Sequence, residues 1–110
     1  MRFSKKDNVY RIARFASSQA NILGVVFGSD DHVEVIEWPI KDNEKVLTSK
    51  DEVLKQVTEG LNTMNKNLVT NFRLSKIYFV PSDNAAYSVY RLLICKLIRH
   101  YHNKKEFEEL

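Results

Sequence analysis

Cysteine, proline and glycine are scarce in this 110-residue chain, at one, two and three residues. The single cysteine, Cys95, excludes an intrachain disulfide and makes the cytoplasm the expected compartment. Lying between Ile94 and Lys96 in a helical run, it reads as a small buried hydrophobe and not as an activated thiol. Few glycines and prolines, beside 44% hydrophobic and 28% charged residues, describe an ordinary folded protein and exclude a disordered one. No stretch approaches the ~18 consecutive apolar residues that a membrane span requires. The opening MRFSKKDNVYR passes from basic residues to further charge without an apolar core, so neither a targeting segment nor a membrane partner is expected.

Recognisable chemistry is missing as well. There is no G-x-G-x-x-G and no P-loop, and Ser82 has no G-x-S-x-G context, so phosphate-cradling loops and a nucleophile elbow are unsupported. His100 and His102 stand two apart on one helical pattern and point to different sides, whereas a zinc pair needs three or four residues between ligands. No metal and no cofactor is expected. A minor enzymatic reading pairs His32, which follows Asp30 and Asp31, with Asp83 at the end of an apolar strand; turn formation and helix capping explain these residues equally well.

What is present fits one domain, residues 1–110, large enough for a single core. The net charge of +3 is unevenly spread. Residues 1–20 carry five basic side chains against one acidic, residues 21–52 three against eight, and the rest nine against five.

Along the chain, Ser4-Lys5-Lys6-Asp7 has a capping form and Val9, Ile12, Ala13, Ala16 and Ala20 follow a helical period, so a first helix is preferred here. The rival over residues 8–16 is a strand, which would place an arginine on each face. NILGVVF (residues 21–27) and HVEVIEWPI (residues 32–40), separated by Gly28-Ser29-Asp30-Asp31, read as an antiparallel hairpin. Ser49 opens a second helix with Val53, Val57, Leu61, Met64 and Leu68 on one side, and Gly60 within it implies close packing against another element. LSKIYFV (residues 74–80) reads as a central strand, stopped by Pro81. The longest apolar helical pattern follows, Asn84 to Lys105. The expected fold is therefore α+β, an α/β sandwich in the order helix-strand-strand-helix-strand-helix. Its mixed sheet contains an antiparallel hairpin, and its third strand runs parallel to one hairpin strand.

Two surfaces carry the functional expectations. Asp30, Asp31, Glu34, Glu37, Asp42 and Glu44 decorate the second hairpin strand and its exit, with Trp38 among them. An aromatic anchor within an acidic rim is what a protein interface uses to hold and steer a basic partner. Alternatively Arg11, Arg14, Arg91, Arg99 and Lys104 converge if the terminal helices are neighbours, which would suit a small single-stranded nucleic-acid-binding or regulatory protein. A solvated charged face is the plainer reading of either group.

In size, in the absence of a catalytic signature and in an acidic segment at residues 30–44 beside a long terminal helix, the chain resembles the small immunity proteins of bacterial contact-dependent inhibition and related polymorphic-toxin systems. That resemblance implies a non-catalytic protein that binds a cognate toxin domain, often a nuclease, and occludes its active site or substrate groove. The basic net charge departs from the acidic balance of many nuclease inhibitors.

Overall fold

Asp7 and Asn8, both turn formers, break the first segment into two strands. Asp7 takes the left-handed conformation (φ 54°) that aspartate tolerates better than most residues, and Lys6 pairs directly with Val9 across it. The expected helix over residues 4–20 is thus replaced by β1 (Arg2–Lys6), β2 (Val9–Ala16) and the start of β3 (Gln19–Phe27), an antiparallel meander. The arginine on each face, which argued against a strand, is accommodated because Arg14 lies near the strand end and Arg11 lies over an indole. A computed structural model describes residues 1–16, 19–28 and 31–110, apart from the side chain of Gln19.

The two segments expected to form a hairpin are not neighbours. β4 (Glu34–Glu37) occupies the sheet edge, and β5 (Leu74–Phe79) lies between it and β3, antiparallel to β3 and parallel to β4. β5 sends Ile77 and Phe79 into the core and packs Tyr78 on the other side, so it gains more from a central position than β4, whose Glu34 and Glu37 suit an edge. The parallel pair is joined by α1 (Lys50–Leu68), and the final helix is α2 (Val89–His102). A short strand, β6 (Glu108–Glu109), adds in parallel to β1, giving the order β4-β5-β3-β2-β1-β6. The mixed sheet and α+β class match expectation; the order of elements does not, since strands precede helices.

Both helices lie on one side of the sheet. Ile12, Leu23, Val25, Ile77 and Phe79 point toward them and are at most 1% exposed, packed with Val53 and Val57 of α1 and Tyr90, Leu93, Ile94, Leu97 and Ile98 of α2. Ser49 caps α1 as its sequence form implies, its Oγ accepting from the Glu52 amide at 3.2 Å. Gly60 marks the crossing of the helices. A Cβ there would fall on the Ile94 side chain and 2.8 Å from the Arg91 carbonyl oxygen.

The last helix is shorter than the 84–105 span expected. Asn84 spends its side chain accepting from the Ala86 amide (2.9 Å), and its carbonyl accepts from Asn21 Nδ2 (2.9 Å), so this residue builds a turn ahead of the helix instead. Tyr87 and Ser88 are both left-handed, and regular α-helix begins only at Val89.

Candidate protein-binding face

Strand alternation dictates that residues flanking the core positions face away from the helices. On that side stand Val9 and Arg11 of β2, Ile22, Gly24 and Val26 of β3, Tyr78 of β5, and Glu34 and Ile36 of β4, with Trp38 just beyond. Among the described residues no helix covers them. The centre of this face is apolar, whereas Lys76 beside Glu34 and Lys6 beside Val9 bring charge to its margins, as an uncovered sheet face ordinarily does.

Its centre is Trp38. The backbone amide of Trp38 donates to the Phe79 carbonyl at 2.8 Å, which extends the β4–β5 pairing by one residue before Pro39 ends it. The indole then lies flat over Gly24, where a Cβ would come within 2.9 Å of Cη2. Glycine is required here by close approach and not by backbone angle. Tyr78 stacks on the indole, with centroids 5.5 Å apart and planes 23° from parallel, and the Arg11 guanidinium carbon sits 5.2 Å from the ring.

Such contacts contribute about 0.5–1.5 kcal/mol for the ring pair and about 0.5–1 kcal/mol for the cation. Against this, Arg11 Nε is buried with no acceptor among the described residues, which costs about 1–3 kcal/mol. Fold stability therefore gives little reason for an arginine at this position. Trp, Tyr and Arg are also the three residue types most enriched among interface hot spots.

The acidic residues are strung along the β4 edge and not gathered on one patch. Glu34 shares the face of Trp38, whereas Glu37 points to the helix side of the same strand. Asp31 lies near the start of β4, 3.6 Å from Arg73. Asp42 is exposed in the loop after Trp38. Glu44 folds back in that loop, accepting from the Lys41 amide at 2.9 Å and from Ser82 Oγ at 3.2 Å, which holds its carboxyl below the usual range. Asp30 lies outside the described residues. Residues 31–44 carry five carboxylates against one lysine.

The five basic positions of the nucleic-acid expectation are dispersed. Arg11 is on the uncovered face, and Arg14 is at the far end of β2 beside Ala86 and Tyr87. Arg91 reaches Glu59 of α1 at 4.0 Å. Arg99 and Lys104 both lie near the end of α2 but line different cavities. His32 precedes β4 whereas Asp83 follows β5, so the parallel strands separate them by their full length. Asp83 sits in a turn where burial raises its pKa; the Ile22 amide acts the other way, and Glu44 adds to the rise. Cys95 is half-buried against the Gly60 carbonyl (3.6 Å), and burial pushes its thiol pKa up. Tyr90 is fully buried, its hydroxyl pushed up to about 12 chiefly by burial. The nearby Asn21 amide is engaged with Asn84 instead.

Among the described residues no group of three or more His, Cys, Asp or Glu is placed to hold a metal, and no helix is long and apolar enough to cross a membrane. The sequence reading found Trp38 but not the rest of its stack. The available signal was Gly24, an isolated glycine amid branched residues in a strand, which marks a close approach from above. Comparison of the chain with protein-family models, curated proteins and solved structures finds no match in any of the three.

Proposed function

We propose that the chain is a non-catalytic protein-binding module of the immunity-protein kind, which docks the uncovered face of its sheet onto a basic toxin domain, a nuclease being the chemistry that fits best, and blocks that domain's substrate groove. The observation that carries this reading is the Trp38, Arg11 and Tyr78 stack laid over Gly24, at the apolar centre of a face that no helix covers among the described residues. The stack supplies rigid, amphipathic contact area at low entropic cost. The carboxylates of β4 and its flanking loops, Asp31, Glu34, Glu37, Asp42 and Glu44, five against one lysine over residues 31–44, supply the longer-range field that steers a basic partner and speeds its association.

Immunity genes stand beside toxin genes, which provides the test. The chain and the product of the adjacent reading frame are mixed and their affinity measured at low and moderate salt. A complex is expected. Trp38→Ala should weaken it about 30-fold or more, and Glu34→Lys with Glu37→Lys should slow association and flatten its salt dependence. An affinity untouched by both variants, or no complex at all, would refute the reading.

A further inference from the structure

On the helix side of the sheet, at the end of α2, the chain forms an open cleft of about 610 Å³, within the range that accepts small organic ligands. Its floor is aromatic. Tyr10 meets Tyr101 edge-on at 5.2 Å and Phe107 at 5.0 Å, and Phe72 meets Tyr101 at 5.7 Å; Tyr10, Phe72, Tyr101 and Phe107 are all only half-buried. Its rim is cationic. Lys5 Nζ stands 5.0 Å from the centre of the Tyr10 ring, and Lys104 and Lys105 close the other side, with Glu109 the one carboxylate in the lining.

A second cavity of about 380 Å³ adjoins it through the shared Lys105 and is lined by Lys96 and Arg99, with no carboxylate. Basic residues in the last turn of a helix answer its dipole, which accounts for Arg99, His100 and His102. It does not account for Lys5, Lys96, Lys104 and Lys105.

Lys104 supplies a separate observation. It occupies the left-handed position after α2 (φ 56°), its amide donating to the Tyr101 carbonyl at 3.1 Å while the Lys105 amide donates to His100 at 3.1 Å. Glycine is the residue that this position favours, because a side chain there is strained. The strain is retained at the residue that places an ammonium group on the cleft rim.

We propose that this cleft binds a nucleotide, free or within a single strand, with the base against the half-exposed aromatic floor and its phosphate held by Lys104, Lys105 and Lys5. Every base has a face to stack, so the site favours no particular sequence. The continuation into a second cationic cavity provides for the phosphate of a neighbouring nucleotide. The site lies across the sheet from Trp38 and does not depend on the partner reading.

The test is calorimetric titration of the full chain with uridine octamer, with uridine monophosphate and with inorganic phosphate. The octamer and the mononucleotide should both bind, and both more tightly than phosphate. An octamer affinity that exceeds the mononucleotide's and falls steeply with salt assigns the site to a strand; equal affinities assign it to the free nucleotide. Lys104→Glu with Lys105→Glu, both exposed, should leave the unfolding midpoint nearly unchanged and weaken nucleotide binding at least tenfold. The proposal is overturned by phosphate binding as tightly as the nucleotide, by no binding of any of the three, or by indifference to the double charge reversal in a folded variant.

Discussion

The two faces of one sheet are built by alternate residues of the same strands and have opposite fates. In β3, Leu23 and Val25 are wholly buried under the helices, whereas Ile22 between Asn21 and Leu23 remains half-exposed on the other side. In β5, Ile77 and Phe79 enter the core, while Tyr78 stacks under Trp38. The covered face is defended by packing, so its residues are fixed by volume. The uncovered face holds its aromatic residues by flat stacking over a glycine, an arrangement that adds little to the fold and presents a shaped, apolar surface. Apolar content alone does not distinguish core from contact surface; coverage does.

Adjacent substitutions in β3 sharpen that contrast most. Leu23→Ala should cost about 2–5 kcal/mol, by lost burial and a cavity, read as a fall in the denaturant midpoint. Ile22→Ala, one residue away on the other face, should cost about 1 kcal/mol or less. Equal costs would show that the second face is covered in solution. Gly60→Val, at the helix crossing, tests the covered side by overpacking and should cost about 1–3 kcal/mol, the Arg91 carbonyl being backbone that cannot move aside. Gly24→Ala tests the other side. Its Cβ would lie 2.9 Å from the Trp38 ring and 3.1 Å from Val9, so the indole must shift outward from its stack; a stability loss of about 1 kcal/mol is expected, together with a red shift in tryptophan emission as the indole leaves the sheet.

The smallest effect concerns pH. Burial raises the pKa of Asp83 in the fold, so the stability linked to this group is fully present below its unfolded value and is lost as pH rises through the folded one. Asp83→Asn removes that loss and keeps the acceptor. Thermal unfolding should therefore move up slightly at pH 7 and show no difference near pH 3. Glu44 and Glu108 act oppositely. Their lowered values, from the Lys41 amide and from Arg2, contribute stability above the unfolded pKa that fades as pH falls through the folded one.

The class of fold was legible in the sequence where local pattern and tertiary need agree. The Ser49 cap, the apolar face of α1, the reason for Gly60 and the parallel pairing of the segments flanking α1 all follow from spacing and composition. The first twenty residues were misread because Val9, Ile12, Ala13 and Ala16 satisfy a helical period and a strand alternation at once. Asp7-Asn8 held the deciding signal, a turn signal of weight equal to the capping form that overlaps it. The β3–β4 hairpin failed for a different reason. Sequence adjacency suggests pairing, but the place beside β3 went to β5, whose Ile77 and Phe79 enter the core and whose Tyr78 packs on the other face, while β4 with its two glutamates took the edge. Of the candidate interface, Trp38 and the acidic residues were visible as residue types. Their separation onto different sides of β4, and the union of Trp38 with Arg11 and Tyr78, depend on which strands become neighbours, a long-range property that no local pattern encodes. The basic cleft was unreadable for the same reason, since it joins β1, β2 and the residues after α2.

Trp38 is the only tryptophan in the chain and reports its own surroundings. Acrylamide quenching of its fluorescence, measured for the free protein and again with the adjacent-gene product at saturation, tests the central claim most directly. Ready quenching in the free protein that is largely abolished in the complex, with emission moving to shorter wavelength, is the predicted result. A demonstrated complex in which Trp38 is quenched as readily as before would place the partner elsewhere and contradict the account.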